Sequence, residues 1–246
     1  MHRAIVYHTI SAPEKPLPAN IDISPERFET HLQWLSKRRK QVASLREFLT
    51  ASEKENLIAI TFDDGFRDNL TFALPLLEKY ELPMTLFVAA GFIGKENYLS
   101  AEDIQTLVSH PLITIGSHGF WHRHLTKLSE EEVRFELSES KKLLEEITNK
   151  EIDLLAYPYG DCNGKVERLS EECGYTAAWS VWNGKNTPFS RWRVPLGRND
   201  NLLRFIAKVS PFYFPVKKIL KPPVIEAGEE KNRTEFLPEG EALSFK

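Results

Sequence analysis

The sequence predicts an α/β protein built on a parallel sheet that is closed, or nearly closed, into a barrel. Three observations carry this. Seven short strand-like runs alternate with helix-like runs along the chain. Those runs are apolar at successive positions, the pattern of strands covered on both faces. Composition does not break before about Ser210, so one domain holds all seven. Alternating strands and helices pack as a parallel sheet.

The elements follow in order. The first strand is expected at Ala4–Tyr7. Ser24-Pro25 opens the first helix, with Ser as N-cap and Pro at the first helical position. Phe28, Leu32 and Leu35 then share its buried face. A second strand is expected at Leu57–Phe62, followed by a helix through Leu70, Leu74 and Leu77 that Pro75 should kink. Met84–Val88 is the third strand, and Ser100 starts a helix carrying Ile104, Leu107 and Val108. After a fourth strand at Leu112–Ile115, Ser129-Glu130-Glu131-Glu132 forms a capping box, with Val133, Leu137, Leu144 and Ile147 on one face beyond it. The fifth strand is expected at Leu154–Tyr157, then a helix from Lys165 to Cys173 stopped by Gly174. Ala177–Val181 and Arg193–Leu196 complete the set, and no internal repeat is visible.

Two runs carry chemistry. Thr61-Phe62-Asp63-Asp64-Gly65-Phe66 places two carboxylates at the end of an apolar strand. Neighbouring side chains on a regular strand point to opposite faces, so Asp63 and Asp64 converge only if the strand ends there, and Gly65 permits that turn. Ser117-His118-Gly119-Phe120-Trp121-His122 places two imidazoles four residues apart, a spacing that shares one face of a helical turn. Asp-Asp alone is usually a solvated turn, and His-x-x-x-His alone is more often surface or core. Each here follows a predicted buried strand, however, and strand ends of one sheet or barrel lie together where ligands bind. Two histidines and one carboxylate form an open divalent metal site, and the other carboxylate remains as a base.

These runs resemble the motifs of the polysaccharide deacetylase family, the carbohydrate esterases that share the NodB homology domain. Thr61–Phe66 is similar to the family's first motif, His118-Gly119-Phe120-Trp121-His122 to its second, and Ala156-Tyr157-Pro158-Tyr159-Gly160 to its third. The likeness runs from about Arg3 to about Asp200. It implies a distorted (β/α)7 barrel, which the pattern alone does not separate from an open sheet. It implies Asp63 as general base and Asp64, His118 and His122 as metal ligands, with Pro158 and Tyr159 lining the pocket and the Tyr159 backbone N–H facing an oxyanion.

The chain also departs from the family pattern. Many members carry a late histidine as general acid, and this chain has none after His124. A subgroup resembling the biofilm poly-N-acetylglucosamine deacetylases has an N-terminal Tyr-His instead. Tyr7-His8 is similar, which implies His8 as the acid. The third motif begins with Ala156 where other branches have an arginine that tethers the base. Pro195 is followed by Leu196 where the family often has Pro-Arg, leaving Arg193 or Arg198 as substitutes. Arg193 is also a candidate substrate contact. So are the aromatic faces of Trp121 and Trp182, whereas Trp179 reads more readily as core. His124, two residues past His122, is expected to be a neighbour and not a ligand.

Composition bounds the rest. The chain has 246 residues, with 41% hydrophobic and 27% charged, ordinary for a soluble domain with a substantial core. A net charge of −3 gives no basic field for nucleic acid. No apolar run reaches the roughly 18 residues of a membrane span, and the N-terminus enters a strand without a signal-peptide core. The cytoplasm is therefore the expected location. Cys162 and Cys173, the only cysteines, suggest no disulfide framework. Residues 1–210 are expected to form the catalytic domain. Residues 211–246 are expected to form an arm and a flexible tail, in which Phe212, Tyr213, Phe214, Lys217, Lys218 and Lys221 could touch an anionic membrane from its inner face.

The expected function is metal-dependent N-deacetylation of an acetylated amino sugar. Zinc is the expected ion, with cobalt or nickel as alternatives. A cytoplasmic enzyme would meet a lipid-linked or nucleotide-linked precursor more readily than a finished polymer. Alternatives are an amidohydrolase of another amide on the same scaffold and a non-catalytic glycan-binding protein. A glycosidase is disfavoured because adjacent carboxylates do not straddle a bond at about 5–9 Å.

Overall fold

A computed structural model describes residues 2–10, 21–38, 41–52, 55–181, 187–210 and 212–213. In chain order the elements are β1 (Arg3–Tyr7), β2 (Thr9–Ile10), β3 (Asp22–Ile23), α1 (Pro25–Ser36), α2 (Leu45–Thr50), β4 (Ile58–Phe62), α3 (Leu74–Tyr80), β5 (Met84–Val88), α4 (Ala101–Ser109), β6 (Ile113–Ser117), α5 (Glu130–Thr148), β7 (Leu154–Ala156), α6 (Gly164–Glu172), β8 (Ala177–Val181), β9 (Arg191–Pro195) and α7 (Leu202–Val209). Seven strands close a barrel in the order β1-β4-β5-β6-β7-β8-β9, with β9 returning to β1. Every pairing is parallel. The expected (β/α)7 barrel is therefore present. Its loosest seam is β6 against β7, joined by the single register pair Ser117↔Leu155.

All seven expected strands form, with ends displaced by one or two residues. The shift matters at β6, which runs through Ser117, so His118 follows the strand directly. Two helices and a small sheet were not foreseen. α2 has only 6 residues, too few to show a period, although Ser44 and Glu47 make a complete capping box. α7 follows an Asn201 cap and buries Phe205 and Val209. β2 and β3 are two residues each and pair with one another outside the barrel. The kink expected at Pro75 takes the form of a π-helical turn, Asn69–Ala73, leading into α3. A proline in the first turn of α3 has no N–H to continue the helix backwards, and the preceding turn widens.

Strand side chains divide into two layers. Ile5, Tyr7, Ile58, Ile60, Phe62, Met84, Leu86 and Val88 face outward and pack with α1, α3 and α4. Leu155 and Ala178 pack outward against α5 and α6. Ala4, Ala59, Phe87, Leu154, Ala156, Ala177 and Trp179 form a separate inner cluster together with Leu45 and Phe48 of α2. Four alanines make room for the two large rings. Gly116 of β6 does the same, since a Cβ there would lie 2.6 Å from the Phe87 ring. By the same alternation Thr61, Asp63 and Arg193 point inward, which sets the floor of the site described below.

The expected C-terminal arm falls, apart from Phe212 and Tyr213, outside the described residues. Phe212 is exposed and Tyr213 packs against the main core. Among the described residues no helix is long and apolar enough to cross a membrane.

One buried polar contact joins the outer layers. The Tyr7 hydroxyl lies 3.0 Å from His31 Nδ1, and the His31 ring stacks on Phe205 of α7 at 4.1 Å. Burial holds the His31 imidazole neutral and pushes its pKa down to about 4. As pH falls below about 6.5 the unfolded chain takes up a proton that the folded chain refuses, so stability falls through that window and the loss is complete near pH 4. Between pH 7 and pH 4 the wild type should lose about 3 kcal/mol more than a His31→Gln variant. Urea unfolding across that range checks it, and parallel curves would show that His31 is not the titrating group.

Candidate active site

The site sits where β1, β4, β6 and β7 end. β4 stops at Phe62, and the Asp63 N–H donates to Tyr7 O at 3.0 Å, holding the end of β4 to that of β1. Asp63 keeps the inward direction set by Thr61. Asp64 then takes φ 71° and Gly65 φ 84°, so the chain turns and Asp64 rejoins its neighbour's face. The expected strand-end turn is thus what brings the two carboxylates together.

The second motif differs from expectation. Residues 118–122 are not a helical turn but a loop with Gly119 at φ 73° and His122 at φ 54°. The two histidines converge because the loop folds back, not because of a 3.6-residue period. Glu136 of α5 holds the loop in place. It is buried, and one of its oxygens accepts the Phe120 and Trp121 N–H groups at 2.8 Å each. Burial raises its pKa, against the pull of those two donors. Sequence reasoning missed Glu136. The available signal was an acid beside Val133 and Leu137 on the apolar face of a helix.

The third motif is a turn after β7 in which Tyr159 has φ 60° and ψ 4°. Its ring lies edge-on to His122 at 4.6 Å and stacks on His124 at 3.8 Å. Gly160 backs onto β8 so closely that a Cβ would lie 2.4 Å from Val181 N. Asp64, His122 and Tyr159 are three of the non-glycine residues at positive φ, and backbone strain of this kind collects at functional sites.

Three donors converge. His122 Nε2 lies 3.1 Å and His118 Nε2 3.4 Å from Asp64 Oδ1. One ligand atom from each of the three residues falls within 4.8 Å of the others, and all three residues are buried. His118 Nδ1 lies 2.7 Å from Ala156 O. A carbonyl only accepts, so Nδ1 carries a proton and Nε2 is the nitrogen that faces the carboxylate. Asp64 Oδ1 is itself buried with no partner in hydrogen-bond geometry. Two imidazole nitrogens converging on one buried carboxylate oxygen form a donor set that suits a divalent metal.

Asp63 is held differently. Arg193 of β9 lies fully buried inside the barrel and forks onto it, with Nη1–Oδ1 at 2.5 Å and Nη2–Oδ2 at 2.8 Å. Nη1 also reaches Thr61 Oγ1 at 3.3 Å. Burial opposes ionisation of Asp63, but Arg193, with His118 and His8, outweighs it and keeps its carboxyl below the usual range. Burial also opposes ionisation of Asp64, and His122 and His118 outweigh it, holding that carboxyl well below the usual range. Both are carboxylates at neutral pH.

The family profile of polysaccharide deacetylases matches residues 50–178, which is more than half of the chain. The chain belongs to the polysaccharide deacetylase family. It is 31% identical over 176 residues to YxkH of Bacillus subtilis, whose name places it provisionally in the same family, covering 70% of this chain and 61% of that one. It is 27% identical over 191 residues to the poly-β-1,6-N-acetyl-D-glucosamine N-deacetylase of Staphylococcus aureus strain MSSA476, covering 70% and 65%. The chain thus spans under two thirds of the length of these curated relatives. Among solved structures it resembles the Streptococcus pyogenes deacetylase PplD in complex with acetate, with a TM-score of 0.77, 22% identity and coverage of 85% and 98%. That likeness supports the fold.

The remaining expected residues are placed as follows. His8 follows β1 and lines a cavity of about 640 Å³ with Pro195, Asn199, Asp200 and Lys208. A positive charge on its ring would favour the ionised forms of Asp63 and Asp64. Arg193 is not a substrate contact, because it has no exposed surface and both ends of its fork are taken by the Asp63 carboxylate. It is the tether whose usual position in the third motif is empty. Arg198 pairs with Asp22 instead. Trp121 packs beside Phe92 and Tyr98, with the Lys95 ammonium 5.0 Å from its ring. Pro158 is buried against Gly119, and Trp179 is core. Trp182 lies outside the described residues. His124 Nδ1 lies 3.4 Å from Asp161 Oδ2 and outside the ligand set. Burial pushes the Cys162 thiol up to about 12, which keeps it protonated at neutral pH.

Removing one partner of a buried ion pair strands the other charge, at a cost of about 3–5 kcal/mol. Arg193→Met should therefore lower the melting temperature by roughly 10 °C. Adding Asp63→Asn to that variant should recover part of the loss, since the stranded charge is gone. Calorimetry of the two variants checks this, and a further drop in the double variant would refute the account.

Proposed function

We propose that the chain removes the acetyl group from an N-acetylated amino sugar, releasing acetate and a free amine. One observation carries the reading: Asp63 stands beside a three-donor cluster without belonging to it. A carboxylate held ionised by Arg193 and kept out of the ligand set is suited to act as a general base. A metal ion held by Asp64, His118 and His122, with zinc favoured by nitrogen and oxygen donors and cobalt or nickel as alternatives, would lower the pKa of water and polarise the amide carbonyl.

The chain's own residues supply the other parts. Asp63 takes the proton of the attacking water, and Arg193 keeps it from tilting away. The Tyr159 backbone N–H faces the oxygen on which negative charge develops. An amide nitrogen leaves poorly as an anion, so an acid must protonate it, and His8, which follows the strand end held to Asp63, is the imidazole assigned that role. This makes the chain similar to the Tyr-His subgroup. The named activity of the Staphylococcus aureus relative supports an N-acetylglucosamine substrate.

Purified protein should carry close to one divalent ion, and His118→Ala or His122→Ala should lose most of it while the fold survives. Elemental analysis checks this, and unchanged metal in both variants removes the assignment. Asp63→Asn should keep the metal and lower acetate release from N-acetylglucosamine oligomers by about 10²–10⁴-fold, the usual worth of a general base. Near-normal release by that variant would place the base elsewhere.

A further inference from the structure

We propose that Asp68 and Asn69, outside every motif named above, are positioning residues for His8. The inference rests on the reading of His8 as the acid. His8 lies one residue beyond β1. The ladder to β4 has its last register pair at Tyr7↔Phe62, and the ladder to β9 at Val6↔Pro195. At that point two side chains of another segment take hold of the chain. Asn69 is fully buried, and its Nδ2 donates to His8 O at 2.8 Å and to Asp68 Oδ1 at 3.0 Å. Both partners are acceptors, which fixes the amide orientation. Asp68 Oδ2 accepts from the Thr9 hydroxyl and from the Ile10 N–H, the latter at 3.1 Å. Residues 8, 9 and 10 are thereby clamped in succession.

The clamp has a direct route to the chemistry. Asp68 follows Asp64 by four residues, and Asn69 opens the π-helical turn. The turn that leaves the carboxylate pair therefore reaches back and holds the segment bearing the imidazole. Base, ligand and acid are kept at one separation by a link a few residues long. Proton transfer requires hydrogen-bond reach, and a misplacement of about 1 Å can cost roughly 100-fold in rate. Wide helical turns of this kind are frequent at functional sites.

The test is a double-mutant comparison on the full chain with metal bound, using an N-acetylglucosamine oligomer as amide and an aryl acetate as ester. Asn69→Ala should lower kcat on the amide by roughly 10–100-fold with little change in KM. It should lower the ester rate much less, because that leaving group needs no proton. Thr9→Val keeps the side-chain shape and removes one bond of the clamp. It should act in the same direction more weakly, and it carries the comparison if Asn69→Ala does not fold. In a His8→Ala background neither change should add a further loss. On metal-free protein, hydrogen exchange should quicken at residues 8–10 and stay unchanged at 113–122. Losses that multiply with His8→Ala, or exchange that quickens equally in both segments, would overturn the proposal by showing that the clamp supports the whole site. If His8→Ala alone leaves amide turnover unchanged, the reading of His8 as acid fails, and the clamp's proposed role fails with it.

Discussion

The site depends on one buried ion pair. Arg193 rises from β9 through the barrel interior and forks onto Asp63 at the end of β4. Two strands that never pair with each other are joined there, across β1, by a contact with no exposed surface on the arginine. Such a pair is costly to bury and is kept only where both charges are satisfied. Here it fixes the position of one carboxylate and holds it ionised. It also makes room for the next residue to do something different. Asp63 is engaged by Arg193 and approaches only His118, at 3.7 Å, whereas Asp64 faces both imidazoles.

The barrel's irregularity serves the same end. β6 and β7 share one register pair, the fewest of any seam in the closed barrel. His118 Nδ1 spans it to Ala156 O, which orients the ring. Glu136 then ties the loop beyond His118 to α5 through two backbone N–H groups. His122, at positive φ, ends the loop that these contacts hold in place.

Much of the fold was legible in the residues. Most barrel strands show a mainly apolar run, although β9 carries two arginines, and helices with a serine cap and a clear apolar face, such as α5, show themselves without tertiary help. α2 and the β2–β3 pair did not, because six residues or two carry no readable period. The site was legible where chemistry is concentrated in short runs, as in Asp63-Asp64 and His118 with His122. The helical turn expected at the second motif was wrong because a four-residue histidine spacing is compatible with any tight loop, and Gly119 and Glu136 decided for the loop.

The sequence by itself determined which side chains could hold a cation and which carboxylate could act beside them, since that depends on residue type and spacing near strand ends. Only the tertiary structure decided what Arg193 does. Residue 193 is 130 positions from Asp63, and its distance from the base is set by barrel closure, which no local pattern encodes. The grip of Asp68 and Asn69 on residues 8–10 has the same origin. Contacts between segments some sixty residues apart exist only after β1 and β4 have paired, and side-chain identity alone does not announce them.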